Sequence, residues 1–135
     1  MHVACPDGFA PDPALVTAAR DAQRRLGRGS ISLTTDPHEA ATGAHVVSTD
    51  VWASMGQEDD AARRRAAFAG YCVDAAMMGR AAGNAIVLHC LPAHRGEEIS
   101  GDVLDGPRSL AWVQGENRLH VGKVLLEHVV LRSKA

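Results

Sequence analysis

The stretch Ile86-Val87-Leu88-His89-Cys90-Leu91-Pro92-Ala93-His94-Arg95-Gly96-Glu97-Glu98 decides how the rest of this chain is interpreted. Its first three residues form a short apolar run of the kind that a buried strand needs. The run ends at a cysteine, followed by Leu-Pro and a loop of basic and acidic residues. A cysteine in this position lies at the carboxyl end of a strand, where open α/β sheets bind ligands. The stretch therefore predicts a thiol that faces a ligand at the edge of a sheet.

The composition indicates one globular domain with no polyanionic partner. The chain has 135 residues, of which 46% are hydrophobic and 22% charged, and its formal charge is -2. This charge offers no field that would attract nucleic acid or an acidic membrane surface. The odd number of cysteines, without a leader-like or membrane-length apolar segment, predicts a cytoplasmic protein without a disulfide framework.

Strand-like and helix-like segments alternate along the sequence. Asp12-Pro13 and Asp36-Pro37 each provide a capping aspartate followed by a proline, so helices are predicted from these points to Gly27 and to about Gly43. Strands are predicted at residues 2–5, 31–33, 45–48, 86–90 and 109–113, and further helices at residues 59–69, 73–82, 99–104 and 116–131. The alternation predicts an α/β fold for residues 1–135, a doubly wound, mainly parallel, Rossmann-like sheet with helices on both faces.

Two loops should open into the same crevice. Asp50 follows one predicted strand and Cys90 follows another, and the carboxyl ends of parallel strands lie on one side of a sheet. The last helix is predicted to begin on that side, which would aim Arg118 at the same space. An arginine there suits a phosphate or a carboxylate, because its planar fork donates paired hydrogen bonds.

Four stretches resemble the carboxy-terminal, ornithine-binding domain of the ornithine carbamoyltransferases. The resemblance covers essentially the whole chain in the right order. Ser-Met-Gly together with His-Cys-Leu-Pro is its most specific part, since the aspartate-using relatives lack both. The four stretches are Asp50-Val51-Trp52-Ala53-Ser54-Met55-Gly56-Gln57-Glu58, the segment from His89 to Glu98, Asp105-Gly106-Pro107, and Glu116-Asn117-Arg118-Leu119-His120.

The resemblance implies an activity and a substrate loop. The activity is transfer of the carbamoyl group from carbamoyl phosphate to the side-chain amine of L-ornithine, giving L-citrulline and phosphate, in arginine biosynthesis or in arginine and citrulline catabolism. Asp50, Ser54 and the backbone of Met55 match the loop that holds the amino-acid end of ornithine. Neither a metal nor an organic cofactor is implied.

The resemblance also implies roles for residues of the loop after Cys90 and of the last helix. Cys90 matches the residue that accepts a proton from the amine, and Leu91 matches its neighbour beside the carbamoyl group, with a cis Leu91–Pro92 bond. Arg118 matches an arginine that contacts carbamoyl phosphate. These residue types suit the chemistry, because ornithine's side chain is protonated near neutral pH and must lose a proton before it attacks.

The chain also departs from the family's pattern. It has no counterpart of the amino-terminal half, including its Ser-x-Arg-Thr-Arg type phosphate loop, so only part of a carbamoyl phosphate site is expected. Gly122 stands within the last helix where the family usually has Gln, at a cost of roughly 1 kcal/mol relative to Ala. We therefore expect a fragment, a split enzyme or a degenerate copy that is inactive alone. Its apolar last helix should meet a missing amino-terminal domain or another copy of the chain.

Two other functions remain open at this point. The alternatives to this interpretation are a truncated, non-catalytic module that binds an amino acid or a partner, and a carbamoyltransferase for another amine such as putrescine. The Ser54-Met55-Gly56 loop argues against the last of these. A zinc site of His89, Cys90 and His94 is not predicted, because the spacing lacks a second pair of ligands.

Overall fold

The computed structural model describes residues 1–53, 56 and 58–132, and within them strands and helices alternate as predicted. Four strands and six α-helices are present in this part of the chain, with a 3₁₀ turn at Glu58–Asp60. In chain order they are β1 (His2–Ala4), α1 (Pro13–Leu26), β2 (Ser32–Thr34), α2 (Pro37–Ala41), β3 (Val46–Thr49), α3 (Ala61–Ala67), α4 (Ala75–Arg80), β4 (Ile86–His89), α5 (Gly101–Leu104) and α6 (Ala111–Arg132).

The predicted starts of α1 and α2 are confirmed by their capping contacts. The Asp12 carboxylate accepts a hydrogen bond from the Ala14 N–H at 2.7 Å, and Asp36 accepts one from the His38 N–H at 2.8 Å. These bonds satisfy N–H groups that have no partner within the helix. At the far end of α1, Gly27 adopts the left-handed conformation with φ of 65°, which a glycine reaches without steric cost.

The strands pair in parallel, in two separate pairs. β1 lies beside β2, and β3 lies beside β4 with Thr49 opposite His89. A cavity of about 370 Å³ is lined by residues of both β1 and β3, with Asp50 also on its wall.

The strand predicted at residues 109–113 is wrong. Only Ser109 pairs, through a single bridge to Val87, and α6 begins two residues later at Ala111. The Ser109 hydroxyl accepts a hydrogen bond from the Ala111 N–H at 3.4 Å, and Gln114 N–H already bonds the Leu110 carbonyl at 2.8 Å. The apolar run that suggested a strand is therefore the first turn of the last helix, which starts five residues earlier than the predicted position 116.

The core surrounds β3 and β4. Val87 and Ile99 are fully buried, and Met77 and Met78 are 3% and 1% exposed, so the two methionines fill the core. Burying each such side chain stabilises the fold by about 1.5–3 kcal/mol. The Ile99 segment is held by backbone hydrogen bonds of its neighbours, since Val73 N–H bonds the Glu98 carbonyl at 2.9 Å and Ser100 N–H bonds the Val73 carbonyl at 3.1 Å. These hydrogen bonds hold the end of the loop that follows Cys90 against the core.

Two helices carry apolar side chains that the described chain does not cover. The helix α1 has no fully buried residue, and its Leu15 and Leu26 are mostly exposed. On α6 only Ala111 is buried. Its exposed apolar residues are Trp112, Val113, Leu119, Val121, Val124, Leu125, Leu126, Val129, Val130 and Leu131. Even so, no helix in the described ranges is both long enough and apolar enough to cross a bilayer.

Candidate functional site

The register of β3 and β4 places Asp50 beside Cys90. Thr49 and His89 are opposite each other at the ends of the two parallel strands, so the next residue of each chain segment emerges at the same edge. The Cys90 Sγ donates a hydrogen bond to Oδ1 of Asp50 over 3.0 Å. A thiol and a carboxylate separated by forty positions in the sequence thus form one site.

The contact with Asp50 sets the protonation of the thiol. The hydrogen bond to the carboxylate raises the pKa of Cys90, and partial burial and the negative charge of Asp50 raise it further. Arg118 acts in the opposite direction through its positive charge. In this arrangement Cys90 is a neutral thiol and Asp50 is the anion. The site therefore attracts a cation through Asp50, and the thiol becomes a proton acceptor only after it has lost its own proton.

Arg118 reaches the same loop from α6. Its Nη1 donates a hydrogen bond to the Cys90 carbonyl oxygen at 2.6 Å, and the residue itself is exposed. The guanidinium has five N–H donors in a planar fork, so the remaining donors suit an anion held beside Cys90. The predicted convergence of Asp50, Cys90 and Arg118 is present in the structure.

Leu91 has an unusual backbone, and the bond that follows it is cis. The Leu91–Pro92 peptide is cis, as the family resemblance implies, and Leu91 has φ of 54°. A left-handed conformation costs a residue with a side chain about 1–3 kcal/mol and persists only where its surroundings hold it. One such contact is a hydrogen bond from the Leu91 N–H to Nδ1 of His89 at 2.9 Å. Another is packing, since the partly buried Leu91 side chain packs against the hydrophobic core.

Behind this loop lies a buried pair that was not predicted from the sequence. His89 and Glu98 are both fully buried, with Nε2 of His89 3.0 Å from Oε1 of Glu98. Because Nδ1 of His89 accepts from Leu91, the ring proton must lie on Nε2, which donates to the carboxylate. Glu98 Oε1 also accepts from the His94 N–H at 2.7 Å. A sequence signal for part of this exists, since His89 follows Val87 at strand spacing and shares its inward face.

Two of the predicted site residues cannot be placed in the structure. Ser54 and Met55 lie outside the described residues, so their place in the site stays a prediction. His89 is not available as a zinc ligand beside Cys90 and His94, because its two ring nitrogens are hydrogen-bonded to Leu91 and Glu98.

Comparison with known proteins identifies the family that this chain resembles. The sequence model of the aspartate/ornithine carbamoyltransferase, Asp/Orn binding domain, matches residues 1–129. An ornithine carbamoyltransferase of Nitratidesulfovibrio vulgaris strain DP4 is 52% identical over 129 residues, which are 96% of this chain and 41% of that protein. The anabolic ornithine carbamoyltransferase of Pseudomonas aeruginosa is 54% identical over 130 residues, 96% of this chain and 40% of that protein.

A solved structure shows the same fold. Ornithine carbamoyltransferase from Pyrococcus furiosus superposes with a TM-score of 0.84 at 45% identity, covering 93% of this chain and 40% of that one. The predicted α/β, Rossmann-like fold class is thereby confirmed. The chain spans about two fifths of the length of the relatives it matches. It belongs to the aspartate/ornithine carbamoyltransferase family, through the domain that binds the amino acid.

Proposed function

We propose that this chain is the ornithine-binding part of an ornithine carbamoyltransferase, which transfers the carbamoyl group of carbamoyl phosphate to the side-chain amine of L-ornithine and releases L-citrulline and phosphate. The observation that carries the proposal is the 3.0 Å contact between the Cys90 thiol and the Asp50 carboxylate, with Arg118 on the Cys90 carbonyl. In this arrangement Asp50 can bind a cation, Cys90 can accept a proton and Arg118 can bind an anion. We place the reaction in arginine biosynthesis in the cytoplasm, where the three unpaired thiols of the chain would remain reduced.

Asp50 and Cys90 act in turn on the amine. The ammonium group of ornithine replaces the thiol as hydrogen-bond donor to Asp50, and its positive charge lowers the pKa of Cys90, whose proton leaves to solvent. The thiolate then accepts a proton from the ammonium. The neutral nitrogen attacks the carbamoyl carbon, the bond from that carbon to the phosphate oxygen breaks, and the departing phosphate takes the second amine proton.

Leu91 and Arg118 bind the carbamoyl phosphate. The backbone of Leu91, fixed in its left-handed conformation by His89, presents its carbonyl to the carbamoyl amide as a hydrogen-bond acceptor. Arg118 stabilises the charge that develops on the carbamoyl oxygen and the phosphate. Ser54 and the Met55 backbone are assigned to the amino-acid end of ornithine on the family motif alone.

The rest of the carbamoyl phosphate site is assigned to a second domain. The chain spans about two fifths of its relatives, and α6 exposes an apolar surface that starts beside Arg118. A groove on this helix is lined by Gln114, Asn117, Arg118, Val121, Gly122 and Leu125. Its apolar end and its arginine suit an amino-terminal domain that brings bound carbamoyl phosphate to the site. Until that domain docks, the same surface favours self-association.

The test is citrulline formation by this chain, alone and mixed with the separately produced amino-terminal domain of the Pseudomonas aeruginosa relative. We expect turnover only in the mixture, and a fall of about 100-fold or more for Cys90→Ala, since proton transfer contributes 10²–10⁴-fold. Cys72→Ala is the matched control, because the charges that act on this half-buried thiol are those of Asp74, Glu98 and Asp102 and not that of Asp50, so the change should leave turnover intact.

Two results would overturn the proposal in different ways. Turnover that survives Cys90→Ala would remove the proton-accepting role from the thiol. A folded chain, verified by circular dichroism, that binds ornithine but turns over in no mixture would be a binding module instead.

A further inference from the structure

A group of donor side chains outside the proposed reaction lies at the far end of the cysteine loop. Within the described residues, His94, Glu97 and Glu98 are a set whose ligand atoms all lie within 4.8 Å of one another. His94 is exposed, Glu97 is half-buried, and Glu98 is buried. No step of the carbamoyl transfer uses the His94 imidazole or the Glu97 carboxylate.

A buried oxygen without a partner points into this group. Glu98 Oε1 accepts hydrogen bonds from His89 and from the His94 backbone, whereas Glu98 Oε2 is buried and has no hydrogen-bond partner. A buried carboxylate oxygen left in this state is costly. Nδ1 of His94 lies 3.9 Å from this oxygen. This separation is longer than a hydrogen bond and close to that of two ligands on one ion, which is roughly 3.4 Å in a tetrahedral zinc site.

From this geometry we propose that His94, Glu97 and Glu98 form a site for a divalent cation of the zinc class. One imidazole and two carboxylates are a donor set that zinc accepts, with solvent at the fourth position because His94 faces water. Glu98 is already oriented for this role, since its other oxygen is held by two hydrogen bonds.

Glu97 is the ligand that must adjust. Its Oε1 accepts from Arg65 Nε at 3.0 Å, and a carboxylate can keep that bond while its second oxygen turns toward an ion. The Arg65 charge opposes a cation, so it limits affinity. The ion would tie the end of the loop to Glu98, and through His89 to the backbone of Leu91.

The experiment is calorimetric titration of Zn²⁺, and separately of Co²⁺, into the whole chain. We expect one ion per chain, with affinity reduced roughly tenfold or more by His94→Ala and by Glu97→Gln. The matched control is His120→Ala. His120 faces Glu116 at 3.6 Å with the same four-residue spacing but is not part of the three-ligand set. A Cys90→Ala variant tests whether the ion sits on the thiol, and both controls should bind as the parent chain does.

Three outcomes would overturn the site. The first is the absence of saturable binding to a folded chain. The second is an affinity that neither His94→Ala nor Glu97→Gln changes. The third is an affinity that falls in Cys90→Ala while His94→Ala leaves it intact, which would place the ion on the thiol. Mg²⁺ is titrated as a further probe, and binding of Mg²⁺ as tight as that of Zn²⁺ would overturn the assignment to the zinc class.

Discussion

The Nε2 of His89 lies 3.0 Å from Oε1 of Glu98, and both side chains are fully buried behind the loop that carries Cys90. The pair joins the last residue of β4 to the point where the loop returns to the core. The other ring nitrogen of His89 holds the backbone of Leu91 at 2.9 Å. The conformation of the proposed site therefore depends on a hydrogen-bonded pair that does not face the substrate.

Breaking this pair should destabilise the fold. His89→Leu leaves the Glu98 carboxylate buried with one hydrogen bond fewer, so we expect the free energy of unfolding to fall by about 3 kcal/mol, measured by urea denaturation followed by circular dichroism. The double variant His89→Leu/Glu98→Met removes both polar partners. It should cost less than the sum of the two single changes, and simple additivity would show that the pair does not interact.

The reactivity of Cys90 should increase when the charge of Asp50 is removed. The hydrogen bond to Asp50 raises the pKa of Cys90, so the reactive thiolate is scarce near neutral pH. Asp50→Asn lowers that pKa, and alkylation of Cys90 by iodoacetamide should become faster at a fixed pH, with its pH–rate curve moved to lower pH. Mass spectrometry of the labelled peptides reports each cysteine separately.

Two controls accompany the alkylation measurement. Cys5 and Cys72 owe their raised pKa values mainly to burial, so Asp50→Asn should leave their rates unchanged. Asp59→Asn removes an exposed carboxylate elsewhere in the chain and should not change the rate at Cys90. A rate at Cys90 that is the same or slower in Asp50→Asn would contradict the assigned contact.

Two glycines in α6 should respond differently to alanine. A Cβ on Gly122 meets nothing within 4 Å, so Gly122→Ala should raise the free energy of unfolding by about 0.5–1 kcal/mol through helix propensity alone. A Cβ on Gly115 would lie 3.3 Å from Cδ1 of Leu91, so Gly115→Ala should gain less and should displace the Leu91 side chain. Urea denaturation measures the free energy of unfolding of both variants. Equal increases would show that the Leu91 side chain moves away from the new Cβ at no cost in free energy.

The apolar surface of α6 should drive self-association of the isolated chain. Leu125 is 58% exposed on this helix, and Leu26, at the end of α1, is 67% exposed. Leu125→Glu should shift sedimentation velocity toward monomer, whereas Leu26→Glu, the matched change, should not. A parent chain that sediments as a monodisperse monomer would contradict this prediction.

Much of the site could be predicted because its residues follow secondary-structure boundaries. Asp50 and Cys90 each come directly after a strand, and strand ends are readable from apolar runs. The segment at residues 109–113 could not be assigned in this way. Its short apolar run suits a strand or a buried helix equally. The hydrogen bonds of the Ala111 and Gln114 N–H groups, which start the helix here, form only in the folded chain.

The sequence by itself determined the local features of this protein: the Asp-Pro starts of α1 and α2, the alternation of strand and helix, and a thiol at the end of a strand. Each of these depends on a few adjacent residues and on backbone sterics. Only the tertiary structure decided that Thr49 lies opposite His89, which places Asp50 against Cys90, and that Glu98 lies beneath His89. Strand register and the burial of the hydrogen-bonded His89–Glu98 pair depend on packing between segments distant along the chain, which no local pattern encodes.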